Sequence, residues 1–110
     1  MHELSLTRDI VDICRNRATG RRIVSVTLEI GELSGVMPES IEFCFDECTR
    51  GTVVEGALLR FDLVAAKGYC RECSAEFELK TFHSSCPKCG GTDMEIISGE
   101  EMRVKTMEVA

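Results

Sequence analysis

The chain has 110 residues, enough for one domain or one domain with a small appendage. Its 13 basic and 19 acidic residues leave a net charge of −6, which argues against a nucleic acid as the main partner. Apolar runs fall far short of the roughly 20 residues that span a bilayer. The opening Met1-His2-Glu3-Leu4 has neither the basic start nor the apolar stretch of a secretory signal, so a soluble cytoplasmic protein with no membrane partner is expected.

In chain order, Leu6, Ile10, Ile13 and Cys14 recur at helical spacing, with Arg15 and Arg17 near the end and Gly20 as a stop, predicting a helix over Leu4–Ala18. Ile23 to Ile30 alternates, which puts Val24, Val26, Leu28 and Ile30 on the apolar face of a strand. Gly31-Glu32-Leu33-Ser34-Gly35 reads as a loop. Pro38 and Glu39 suit a helix start. Ile41, Cys44, Phe45 and Cys48 continue that second helix on an apolar stripe until Gly51. A second strand is expected near Ala57–Ala66, with Leu59, Phe61, Leu63 and Ala65 on one face. A third follows at Met102, Val104 and Thr106, alternating with Arg103, Lys105 and Met107. The expected class is α+β: two helices on a three-stranded sheet, with an inserted four-cysteine zinc domain. Residues 1–67 and 99–110 form the body of this reading, and residues 68–98 the insert.

Cys70-Arg71-Glu72-Cys73 and Cys86-Pro87-Lys88-Cys89 are the strongest chemical signal. A two-residue gap lets both thiolates of a pair reach one tetrahedral ion, and the loop between the pairs brings them together. Gly90-Gly91 permits the tight turn such a knuckle needs. Four thiolates leave no open position for water or substrate, so the zinc is structural. Two disulfides are the alternative, disfavoured in a reducing compartment, and iron is a second metal this donor set accepts. His83, in the intervening loop, reads first as an ordinary loop histidine and second as a ligand. Cys44 and Cys48, one turn apart, read as core packing before a soft-metal pair, and Cys14 also reads as core.

At the chain start the Met1 amine, the His2 amide nitrogen and the His2 imidazole can close adjacent chelate rings. The Glu3 amide or an outside donor then completes a planar set that suits Ni(II) or Cu(II) and fits zinc poorly. No phosphate-binding glycine loop, nucleophile elbow or motif-placed carboxylate pair is present, which argues against an enzyme. Within residues 68–98, Arg71, Lys80 and Lys88 face Glu72, Glu76, Glu78, Asp93 and Glu95, so a zinc-ribbon nucleic-acid module has no basic stripe to use.

Several segments together resemble the HypA/HybF family of hydrogenase-maturation nickel metallochaperones. They are Met1-His2-Glu3-Leu4-Ser5, Ile30-Gly31-Glu32-Leu33-Ser34-Gly35-Val36, Pro38-Glu39-Ser40 with Phe43 and Phe45, Gly51-Thr52, Glu55-Gly56-Ala57, and the four cysteines. The resemblance runs end to end. It implies Ni(II) cargo held by His2 and nearby backbone nitrogens, including Glu3, and zinc at Cys70, Cys73, Cys86 and Cys89. It also implies transfer to a HypB-type GTPase and the hydrogenase large-subunit precursor; either a monomer or a homodimer is expected. One departure stands out: some family members carry histidines beside the zinc cysteines, whereas here Ser74, Ser85 and Gly90 occupy those places.

Overall fold

A computed structural model describes residues 3–79 and 85–110. Its elements run α1 (Glu3–Ala18), β1 (Ile23–Gly31), α2 (Pro38–Thr49), β2 (Leu58–Val64), β3 (Lys67–Cys70), β4 (Glu76–Glu78), β5 (Met94–Ser98) and β6 (Met102–Val109). The strands form two three-stranded sheets, β2-β1-β6 and β4-β3-β5.

The helix α1 buries Thr7, Ile10, Val11, Cys14 and Ala18, and the Thr7 hydroxyl donates to the Glu3 carbonyl at 2.6 Å. Ile13 is exposed, contrary to the sequence reading. At 3.6 residues per turn it lies about 120° round the helix from the middle of that stripe. Helix α2 starts without a side-chain cap. Extended Met37 precedes Pro38, whose missing N–H and preset φ suit the first turn. Ile41, Phe45 and Thr49 form its buried line, so Cys48 only flanks the core and Cys44 is half-exposed. Cys14, in contrast, is fully buried as expected, and burial pushes its thiol pKa up.

Strand β1 is the centre of the first sheet, parallel to β2 across the α2 connection and antiparallel to β6. Val26, Leu28 and Ile30 present the predicted apolar face and are buried with α1 and α2 residues in one core. Two bulges change the rest of the expected alternation. The register steps from Ile23↔Val109 to Ser25↔Glu108, which leaves Val24 as the extra residue, exposed, while Ile23 turns inward. It steps again from Thr27↔Thr106 to Leu28↔Val104, so Lys105 is extra. Met102 and Val104 therefore share the core side with Met107 and Val109, and Thr106 faces out. On β2, Leu59 and Phe61 pack on the core as expected, but Leu63 is exposed.

The opposite face of this sheet is polar. Arg103 bonds Glu29 at 2.7 Å, Lys105 pairs with Asp62, and Ser25 donates to Glu108 at 2.7 Å. Arg103–Glu29 joins antiparallel neighbours, while Lys105–Asp62 reaches across β1 from β6 to β2, contacts that suit a sheet face turned to water.

The chain leaves the first sheet after Val64 and returns at Met102. Lys67 pairs with Ser98 at the ends of β3 and β5, so the crossings lie side by side and β6 reaches β1 with little loop to close. The turn after β1 clamps both crossings: the Glu32 amide donates to the Val64 carbonyl at 2.9 Å and the Leu33 amide to the Gly99 carbonyl at 2.6 Å. The short strands β3, β4 and β5 had no counterpart in the sequence reading.

Candidate metal centres

Each cysteine pair sits on the same turn, built twice. In the first, the Ser74 amide donates to the Cys70 carbonyl at 2.8 Å and the Cys70 amide to the Ala75 carbonyl at 2.9 Å. In the second, the Gly90 amide donates to the Cys86 carbonyl at 2.8 Å and the Cys86 amide to the Gly91 carbonyl at 2.9 Å. Both turns close through a left-handed residue, Ser74 at φ 62° and Gly90 at φ 72°. Gly90 thus does what the sequence predicted, whereas Ser74 carries the strain of a Cβ in that region. Ser74→Gly is therefore expected to stabilise the first turn by about 1 kcal/mol, read as a later midpoint in chemical denaturation of the metal-loaded protein. An unchanged or earlier midpoint would count against the strain.

In each pair the first cysteine is buried and the second exposed: Cys70 and Cys86 are at 0% and 3%, while Cys73 and Cys89 reach the surface. All four sulfurs lie within 4.8 Å of one another, with Cys70–Cys89 at 3.6 Å and Cys73–Cys86 at 3.5 Å. A tetrahedral ion with about 2.3 Å metal–sulfur bonds sets its sulfurs about 3.8 Å apart, so the donor set fits. Beside the centre, Arg71 bonds Asp93 at 2.8 Å and its amide donates to the Asp93 carbonyl at 3.0 Å, joining the first turn to the start of β5.

The electrostatics also call for a cation. Amides of Cys89 and Lys88 point at the Cys86 sulfur and pull its pKa down to about 6. The Gly91 amide favours the Cys89 thiolate, but neighbouring sulfurs, Cys70 first, outweigh it and push Cys89 up to about 12. Amide donors thus favour the Cys86 thiolate while the crowded sulfurs disfavour the Cys89 one. A divalent ion at the centre removes that conflict.

Met1, His2 and His83 lie outside the described residues. Glu3 is the first residue of α1, and its half-buried side chain borders two clefts. One, of about 370 Å³, is lined by Glu3, Leu4, Glu39, Ser40, Phe43 and Cys44. The other, of about 560 Å³, is lined by Glu3, Leu6, Ser34, Gly35, Val36 and Met102. Nothing in the local sequence pattern signals that α2 and the turn after β1 both border Glu3. No helix among the described residues is long and apolar enough to cross a membrane.

Residues 1–109 match the family model described as HypA, hydrogenase/urease nickel incorporation, metallochaperone. A hydrogenase maturation factor HypA of Geotalea daltonii is 58% identical over 109 residues, with 99% of each chain covered. A protein of the same description from Geobacter sulfurreducens is 51% identical at the same coverage. Among solved structures, the solution structure of the nickel metallochaperone HypA from Helicobacter pylori superposes with a TM-score of 0.71 at 25% identity. That match covers 99% of this chain and 97% of the other. A second HypA solution structure gives a TM-score of 0.74 at 25% identity, covering 100% and 97%. With the fold, the four-sulfur centre and the full-length match in agreement, the chain belongs to the HypA family of nickel-incorporation metallochaperones, which are metal carriers rather than enzymes.

Proposed function

We propose that this chain carries Ni(II) at its N-terminus for [NiFe] hydrogenase maturation, with one structural Zn(II) held by Cys70, Cys73, Cys86 and Cys89. Nickel is cargo, bound by the His2 imidazole and amide nitrogen, the Glu3 backbone amide and the Met1 amine. One observation carries the nickel reading: Glu3 opens α1, where a backbone amide has no acceptor one turn earlier in the helix and is free for another role. A nitrogen set at a chain end suits handover, because its donors can leave one at a time. Zinc supplies a fixed tetrahedral charge that neutralises the thiolates, while the chain's own residues hold the two turns in register. The same proposal assigns residues 1–67 and 99–110 to a nickel-binding unit and 68–98 to a zinc-binding unit. It places the protein in the cytoplasm and names a HypB-type GTPase and the hydrogenase large-subunit precursor as receivers.

The test is an equilibrium nickel titration of wild type, His2→Ala and a variant extended ahead of Met1, with zinc measured in each. His2→Ala is expected to lose nickel while retaining zinc and fold. Extension removes the free amine from the chelate ring and should weaken nickel or change its spectrum. Binding needs a neutral imidazole and a deprotonated amide, so affinity should fall as the pH drops below about 6.5. Full nickel affinity in His2→Ala would sink the terminal site, and identical binding by the extended chain would remove the Met1 amine from it.

A further inference from the structure

The outer face of α2 is built in a way the fold itself does not require. Phe43 is 86% exposed, the most exposed large apolar side chain among the described residues. Glu39 and Glu47 lie one turn to either side of it on the same helix, and Glu42 and Asp46 flank it, all four exposed. Only Glu47 among these has an ion-pair partner among the described residues, Arg50 at 3.3 Å. Glu42 and Asp46, four residues apart, repel each other and weaken the helix slightly. An apolar ring left in water among four carboxylates, three of them without an ion-pair partner among the described residues, adds little to the packing of this chain. It is the composition of a contact patch, a central aromatic anchor with a charged rim.

The patch is continuous with the start of α1. Phe43 lines the cleft of about 370 Å³ together with Glu3, Leu4, Glu39, Ser40 and Cys44, and Leu4 and Met37 add further exposed apolar surface at this end. A body seated on Phe43 therefore lies against Glu3, the residue next to His2. The charge fixes the occupant's chemistry. A second copy would bring the same acidic ring, on a chain of net charge −6, against itself. The face is complementary to a protein surface with an apolar pocket rimmed by lysine and arginine.

We propose that the exposed face of α2, centred on Phe43, is the docking surface for the protein that accepts nickel from the chain end, and that this acceptor presents an apolar pocket with a basic rim. Phe43 anchors the complex, while Glu39, Glu42, Asp46 and Glu47 steer and orient it. This rests on the nickel-carrier reading above for the identity of the acceptor, but not for the existence of the surface.

The probe is the purified HypB-type GTPase of the same organism. Its affinity for wild type, Phe43→Ala, Phe43→Leu and the double variant Glu42→Lys/Asp46→Lys is measured across a salt series, alongside nickel content, zinc content and thermal midpoint. Phe43→Ala is expected to weaken binding at least about tenfold, and Phe43→Leu to recover most of that loss. The charge-reversed variant should associate more slowly and lose the salt dependence of its association rate. Metal content and midpoint should not move, because the side chain is in water. Wild-type affinity in Phe43→Ala, or no binding of the GTPase by wild type, overturns the proposal. So does a wild-type dimer that Phe43→Ala converts to monomer with GTPase binding intact, since the face would then be a self-interface. The two readings fail separately: a wild type that binds no nickel yet docks through Phe43 sinks the carrier reading alone. Nickel loss in His2→Ala with docking indifferent to Phe43 sinks this proposal alone.

Discussion

Replacing any one of Cys70, Cys73, Cys86 or Cys89 with alanine is expected to empty the sulfur centre and unfold the second sheet while the first sheet and both helices persist. The reason lies in what that sheet has to bury. Its strands β3, β4 and β5 span 4, 3 and 5 residues, and isolated strands so short are marginal in water. Among described residues from 67 to 98, the buried side chains are Cys70, Leu79 and Cys86, so two of the three belong to the centre itself. The core of the first sheet is drawn wholly from Ile10 through Val54, with partly buried residues of β2 and β6 packed against it. Structural zinc binding is worth about 10–16 kcal/mol in small zinc modules, far more than this sheet's apolar burial supplies. Elemental analysis should show zinc lost, and amide exchange should show protection lost from Lys67 to Ser98 but retained on β1 and α1. A variant that kept both metal and protection would show that the centre is not what folds this region.

Gly31→Ala is expected to destabilise the first sheet by about 3 kcal/mol, the top of the range for an overpacked site, seen as an earlier urea midpoint. A Cβ on Gly31 would run into the carbonyl group of Gly99 and come within 2.6 Å of the Glu100 amide nitrogen. Both obstacles are backbone, so no rotamer change relieves them. Gly31 is also tied down: its amide donates to the Glu101 carbonyl at 2.8 Å, and the clamp formed by Glu32 and Leu33 follows directly. The contact is equally tight from the other side, where a Cβ on Gly99, at φ 109°, would meet the Ala66 side chain at 2.7 Å. Opening this crossing should also loosen the two sheets from each other, so exchange near Ala66 and Gly99 should rise in the same variant. A midpoint within a few tenths of a kcal/mol of wild type would show that the crossing yields more easily than its geometry implies.

Both helices, the three long strands and the two cysteine turns were legible in the sequence because each is written in neighbouring residues. Helical spacing from Leu6 to Cys14, alternation from Val26 to Ile30, and paired cysteines two residues apart are signals that span one or two turns of chain. The α+β class followed from their order. Where a residue's environment depends on a distant strand, the same patterns misled. Val24 and Leu63 are expected on apolar faces and lie outside them, and Thr106, expected to share a face with Met102 and Val104, turns away from both; at Val24 and Thr106 the cause is the bulges at Val24 and Lys105, which shift the pairing of β1 with β6.

Residue type and short spacing carry the donor chemistry proposed for this protein: four cysteines spaced for one tetrahedral ion, which the fold brings together, and the nitrogen set proposed around His2. Such chemistry is a property of residue type and short separation, and it holds whatever the chain does elsewhere. Long-range packing, in contrast, makes Cys70 and Cys86, 16 positions apart, the two buried sulfurs of one centre. It also decided that Gly31 and Gly99 meet backbone to backbone where the sheets join, and that docking α2 through Ile41, Phe45 and Thr49 turns Phe43 out into water. The helical period allows several faces of α2 to be buried, and the choice among them comes from the surface of α1 and β1 against which it packs.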